Sequence, residues 1–569
     1  MTAQGVSAFD DSQWTETTGS SRSFQFLRRA IRAHYAPLLR DGVKADATFN
    51  PGACWVSYEC SEASVDHAAL RAMLDPYIKS GRITLLLRYA PVKAERAGRS
   101  LKSVIVYGFD THRVLRLTGS VFIDATELGE FLPMAGAEYV TGAESQGETG
   151  EPDAPALADP EAGQSFTYTF VLERGKPLKT AEKPIGYDNY LSKFSFASTD
   201  ADENTLQYAM YGQLPNTPGS FWTYRRLIAK DEFKPGAFPS DLSMINWDSN
   251  DVCDSKLLSL DPDRQAEALQ HGKQVSQAFA WWLQHEAPRD DKQGKGYPDL
   301  RIAGSATNSA DGLSQYPYVR EGRRLKALRT VHEQDVVTKG ARAIRFDDTV
   351  GIGDYPIDIH ACGPAKALPV AKPYQIPLGS LESNNIDNLL GASKGIGTTH
   401  ITNGAYRVHP TEWAIGDAAG TAAALAVKKH ISVKKMESDP SELRDLQREL
   451  ILSGQPLVWF DDLAIDSPYF QDVQLASVLG LVELREDSLS FHPDGLVEQR
   501  EVAFAIDQLR ARGALAADLS LSKDPLTSHV EWKTLAQIAP GTEGKHGEVT
   551  RGEFAEWVVA QYMSGTRAK

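Results

Sequence analysis

One Asp/His pair and one run of arginines are the residues whose spacing could support chemistry directly. In YPIDIH, Asp358 and His360 alternate, so on a strand both side chains face one side and can share a proton. In YVREGRR, Arg320, Arg323 and Arg324 could clamp a substrate carboxylate, or form a structural ion-pair network with the glutamate among them. Gly391-Ala392-Ser393-Lys394-Gly395 fits the GxSxG pattern of a nucleophile elbow. The glycine-interrupted stretch after it does not read as the helix an elbow needs, and no Asp and His stand out downstream in triad order. There is no HExxH, Walker A loop, GxGxxG or CxxC. The four cysteines have no zinc spacing, so no metal site is expected; Cys54 and Cys60 could pair across a short loop, but separate buried thiols are the favoured reading.

The elements that must position these residues belong to a chain of 569 residues with 60 Lys and Arg against 75 Asp and Glu, a net charge of −15. That balance argues against nucleic acid and anionic membrane surfaces as partners, both of which need clustered cations. No apolar run approaches the roughly 18 residues of a membrane span. The first residues, MTAQGVSAFDDSQW, lack the basic stretch and apolar core of a secretion signal. SRSFQFLRRAIRAHY places Phe24, Leu27 and Ile31 at helical spacing, with Arg28, Arg29 and Arg32 on other faces. β-branched runs broken by Gly and Pro predict three or four strands before Asp124, and residues 142–164 read as a loop. Residues 165–330 mix aromatic strands with a helix in which Phe279, Trp281 and Trp282 read as core. Short helices follow a boundary near Glu437–Pro440.

Between Leu389 and His430, Gly391, Gly395, Gly397, Gly404, Gly416 and Gly420 leave main chain uncovered, and Pro410-Thr411 starts a helix kept slim by alanines. Such a helix can approach a flat ligand closely or serve only as a packing helix. The stretches SVFIDATELGEFLPMAGAEY, YPYVREGRRLKAL and NNIDNLLGASKGIGTTHITNGAYRVHPTEWAIGDAAGTAAALAV resemble a family of FAD-dependent oxidoreductases related to the glutathione-reductase-type flavoproteins. The resemblance implies an α/β fold. Residues 1–164 and 331–436 would be two parts of an N-terminally truncated, Rossmann-like FAD domain, 165–330 an inserted α+β substrate domain, and 437–569 a small helical domain.

The same resemblance implies FAD as cofactor and hydride transfer from a small organic substrate. Ala125 and Thr126 would end a strand of the FAD domain, while Gly391, Gly416, Asp417 and Gly420 would follow the ribityl chain and ring, with Asp417 accepting from ribityl hydroxyls. Thr2 and Gln4 fall where the family's chain passes the flavin. His400 and Arg407 sit beside the flavin segment, as general acid/base and anion-stabilising group, or as a capping histidine and a buried salt-bridge partner. Asp358 and His360 join them as catalytic candidates, and Arg320 and Arg323 as substrate-binding ones.

Family members open with a GxGxxG unit, and Met1–Val6 is similar to the stretch just after that unit. The expectation is that about 40 residues of a βαβ unit stand outside this sequence, and that the chain as written holds FAD poorly. At the other end SPYFQDVQLASVLGLV, FHPDGLVEQREVAFAI and GEVTRGEFAEWV resemble degenerate S-layer homology repeats, with Thr550 and Glu553 as a capping box. This implies cell-wall polysaccharide as a partner. It also keeps an alternative open, a non-catalytic envelope protein retaining a flavoprotein scaffold. A plain helical capping domain is the simpler reading of these helices. Cytoplasm and cell envelope both remain open as compartments.

Overall fold

The computed structural model describes residues 2–176, 182–199, 205–362, 368–515, 526–539, 541–542 and 544–567. Ser21 caps the first helix, α1 (Arg22–Tyr35), by accepting from the Phe24 N–H at 3.3 Å. Phe24, Leu27, Ile31 and Tyr35 are buried as the periodicity predicts. Arg29 is exposed, but Arg28 and Arg32 are buried as well, because Asp11, Glu16 and Glu59 reach them from outside the helix. A charge pattern cannot reveal partners that arrive from other segments.

The β-branched runs form an antiparallel meander, β1 (Tyr89–Ala97), β2 (Ser100–Gly108) and β3 (Arg113–Thr118). Tight turns close these pairings at little entropic cost. After them β4 (Phe122–Asp124) lies parallel to β5 (Leu389–Gly391), with Phe122 beside Leu389 and Asp124 beside Gly391. This is the one parallel strand pair among the described residues. The broad parallel sheet of a Rossmann-like domain is therefore not seen there, and the α/β character is carried by several small sheets.

Residues 166–319 build an aromatic core beneath the long helix Pro262–His285. A four-stranded antiparallel sheet, in the order Arg226–Ile228, Leu242–Ile245, Phe170–Arg174, Leu300–Ile302, packs with it. Phe279 and Trp282 are buried in this core, and Trp281 stacks on His285 at 4.3 Å between ring centroids. The stretch read as a plain loop holds a short capped helix, Gln146–Thr149.

Beyond β5 the chain turns through Ser393, and Thr399 caps α2 (His400–Tyr406). The slim helix α3 (His409–Lys429) follows, with Pro410 in its first turn. Its buried Ala414, Ala418, Ala419 and Ala422 belong to one apolar cluster that continues past Glu437–Pro440 as far as Tyr562. In the C-terminal part, Val497 N–H donates to Val549 O, Val549 N–H to Val530 O and Val530 N–H to Val497 O, closing a ring of three main-chain bonds. Each valine is buried and stands just before a helix. The segment at Val530 carries no Thr-Arg signature, which is why the sequence pattern does not reveal it.

The cysteines correct the sequence expectation. Cys54 is joined to Cys60 and Cys253 to Cys362, leaving no free thiol.

Candidate cofactor crevice and the charged network behind it

Past the carboxyl ends of β4 and β5 opens a crevice of about 420 Å³, lined by Gln4, Ala125, Ala392, Lys394, Tyr318 and the first turns of α3. Ligands of parallel strand pairs collect at this end, because the turns leaving the strands diverge there. A Cβ built on Gly416 would meet nothing within 4 Å, and the same holds one turn later at Gly420. The crevice wall is bare helix backbone at Gly416. Beside it, one carboxylate oxygen of Asp417 accepts from Ser21 Oγ at 2.8 Å and Ser23 Oγ at 2.7 Å. Burial raises the Asp417 pKa against these hydrogen bonds.

The crevice floor is a buried ion cluster. Lys394 Nζ lies 2.8 Å from Glu127 Oε1 and 3.8 Å from Glu412 Oε1, and the Gln4 side chain hydrogen-bonds Glu127. Burial would lower the lysine's pKa, but the two carboxylates outweigh it and hold the ammonium well above its ordinary value. Burial pushes Glu412 up despite Lys394, while Lys394 overcomes the burial of Glu127 and pulls it down. Ser393 donates to Glu412. Its φ of +57° suits an elbow, but only a three-residue 3-10 turn follows it and no imidazole is bonded to its Oγ.

Four of the sequence candidates meet in a second cluster. His360 Nδ1 is 2.8 Å from Asp251 Oδ2, and its Nε2 is 3.5 Å from Asp358 Oδ2. Arg407, the C-cap of α2, donates to Asp358 Oδ2 at 3.0 Å and to the Tyr318 hydroxyl at 3.1 Å. Arg320 donates to Asp251 Oδ1 at 3.0 Å and to Asn246 Oδ1 at 3.2 Å. Burial and Arg320 both press the His360 pKa down, yet Asp358 and Asp251 lift it to about 9. Both aspartates are held well below the carboxylate range, since His360 and the arginines outweigh their burial. Asp358 and His360 thus face one another as their alternation predicts, though on irregular extended chain rather than a strand. Asp248, Asp251 and His360 bring ligand-type atoms within 4.8 Å of one another. Within this group Asp251 is also paired with Arg320, and His360 Nδ1 faces Asp251 Oδ2 at 2.8 Å.

The remaining candidates lie apart from both clusters. His400 opens α2 with its ring on Glu321 at 2.8 Å and its N–H on Glu144. Burial and Arg324 lower its pKa to about 4, so it is a neutral, capping-type histidine. Arg324 pairs with Glu321 and Glu144, and Arg323 donates to the Leu128 and Leu258 carbonyls. Arg323 also borders a second cleft, of about 480 Å³, beside the Cys253–Cys362 disulfide. Thr126 shapes the turn after β4 through Asp124 and Glu130, the Thr2 carbonyl closes the turn to Gly5, and Gly391 is buried backbone. Sequence reasoning missed Tyr318, Asp251 and Lys394. Tyr318 and Lys394 stand inside motifs that carry the family resemblance, whereas Asp251 had no local signal.

The chain belongs to the FAD dependent oxidoreductase family, whose model matches residues 1–450. Its cofactor is accordingly FAD. No curated protein and no solved structure matches it. The crevice fits that group in two respects, since Gly416 offers bare backbone to a flat ring and Lys394, Gln4 and Asp417 offer polar atoms around it.

Proposed function

We propose that the chain oxidises a small organic substrate by hydride transfer, with the flavin ring of FAD in the crevice between β4, β5 and α3. The observation that carries this reading is the open backbone of Gly416 on the crevice wall. FAD, when bound, supplies the hydride acceptor. Gln4, Ala125, Gly416, Asp417 and Gly420 hold it, while Thr2, Thr126 and Gly391 fix the main chain around them. Lys394, kept cationic by Glu127, favours electron-rich edges of the bound group. Arg407, Asp358, His360 and Arg320 act from behind the crevice, and residues 165–330 supply the substrate-facing layer. Titration with FAD, read by the visible flavin spectrum and fluorescence quenching, tests the reading. The expectation that FAD is held weakly without a GxGxxG unit is decided by the same titration.

The two disulfides favour an oxidising compartment, where such bonds persist. The resemblance of the C-terminal segments to S-layer homology repeats keeps a second reading, a non-catalytic envelope protein that retains the flavoprotein scaffold and binds cell-wall polysaccharide through these helices. Sedimentation with purified cell wall tests that reading, and a protein left wholly in the supernatant ends it.

A further inference from the structure

Arg407, Asp358, His360 and Arg320 do not line the crevice; Tyr318 does, and it touches Arg407 and Arg320. Its side chain is 5% exposed, and the Arg320 guanidinium lies 5.0 Å from its ring centroid. Arg407 can only donate, so its 3.1 Å hydrogen bond occupies a lone pair of the phenol and leaves the phenolic proton unused. No acceptor among the described residues takes that proton. Burial holds the Tyr318 pKa above its ordinary value against the pull of Arg407, so the hydroxyl stays protonated at neutral pH.

The two charged groups that touch Tyr318 are both arginines. Arg320, Arg407 and Lys193 stand among Asp251, Asp358 and Asp248, with the His360 ring between Asp251 and Asp358, while the nearby Arg225 is matched by Asp10. The Nε–H groups of Arg320 and Arg407 are buried without an acceptor. Across the crevice Lys394 is matched by Glu127, with Glu412 at 3.8 Å and the Asp417 carboxylate on the same wall.

We propose that Tyr318 is an oriented hydrogen-bond donor for an anionic oxygen of the substrate, with Arg407 and Arg320 as positioning residues that act through it. The substrate class is a compact organic oxyanion, such as an enolate or phenolate. This rests on the crevice being the site of chemistry, as proposed above, and adds which residue meets the substrate and with what charge preference.

The probe is 4-nitrophenol, whose anion absorbs in the visible, added to the full chain with and without FAD at a pH where the free probe is partly ionised. The wild type should bind the anion and raise its ionised fraction. Tyr318→Phe, which keeps the ring on Arg320 and removes only the hydroxyl, should bind it about tenfold or more weakly, in line with a hydrogen bond to a charged group. Arg407→Lys should fall between them, and Tyr318→Phe, which leaves a buried Arg407 donor without its acceptor and so lowers the thermal midpoint, is compared well below that midpoint. Equal binding by wild type and Tyr318→Phe overturns the proposal, as does a wild type that binds no probe. Failure of FAD to bind counts against the cofactor reading alone, because the probe titration without FAD still decides the role of Tyr318.

Discussion

Gly416→Leu separates cofactor binding from folding more cleanly than any other change in the crevice. Position 416 is inside α3, where glycine costs about 0.8–1 kcal/mol relative to alanine and leucine is nearly as good as alanine. An added Cβ meets nothing within 4 Å, so no neighbour has to move. The variant should therefore be more stable than the wild type by about 0.5–1 kcal/mol. The leucine side chain would fill the space left for a flat ring. Displacing that much apolar contact costs about 1.5–3 kcal/mol, a loss of roughly tenfold to somewhat over a hundredfold in FAD affinity. Urea unfolding of the FAD-free protein reads the first effect, and flavin fluorescence quenching reads the second. A Gly416→Leu protein that is stabilised yet binds FAD as the wild type does would refute this placement of the ring.

The summed contribution of three histidines to stability should be greatest near pH 6.5. His400 and His409 are held neutral in the fold, with pKa values of about 4, so their contribution is complete above the unfolded value of about 6.5 and lost as pH falls. His360 is raised to about 9, so its contribution is complete below about 6.5 and lost as pH rises toward 9. His360→Gln should flatten the alkaline limb of a urea-midpoint profile and leave the acid limb in place; an unaltered alkaline limb would count against the network. Opening Cys253–Cys362, which spans 109 residues, should cost about 4–5 kcal/mol, against about 2 for the six-residue Cys54–Cys60 span, as read from Cys→Ser pairs in urea. Arg28→Met should cost about 3–5 kcal/mol by stranding the buried Asp11 carboxylate, while Glu59 keeps Arg32 at 3.0 Å, and a near-neutral effect would show that Asp11 takes up a proton instead.

Local patterns made α1 and α3 readable. Phe24, Leu27 and Ile31 keep the helical period, and Pro410 with its following alanines marks a helix that must pack closely. The Asp358/His360 alternation also survived, because an extended chain turns alternate side chains the same way whether or not a partner strand is present. The unread features depend on long sequence separations. Asp251 reaches His360 across 109 residues, and Cys253 meets Cys362 across the same interval. His400 looked like a proton carrier beside a flavin segment, but Glu321 and Glu144 draw it to the start of α2. The β-branched runs before Asp124 were readable as strands but not in their pairing, which short turns set as the antiparallel β1–β3 meander.

The central claim is the location of FAD in the crevice beyond β4 and β5. Photolabelling with an azido-flavin analogue of FAD, with peptide mapping of the product, tests it most directly, because the molecule offers another cleft of about 480 Å³ beside Cys253 and Cys362. Label is expected on peptides containing Gln4, Ala125 or residues 392–417, suppressed by excess FAD and absent in Gly416→Leu. FAD-protected label confined to residues 253–264 or 321–323 would contradict that location.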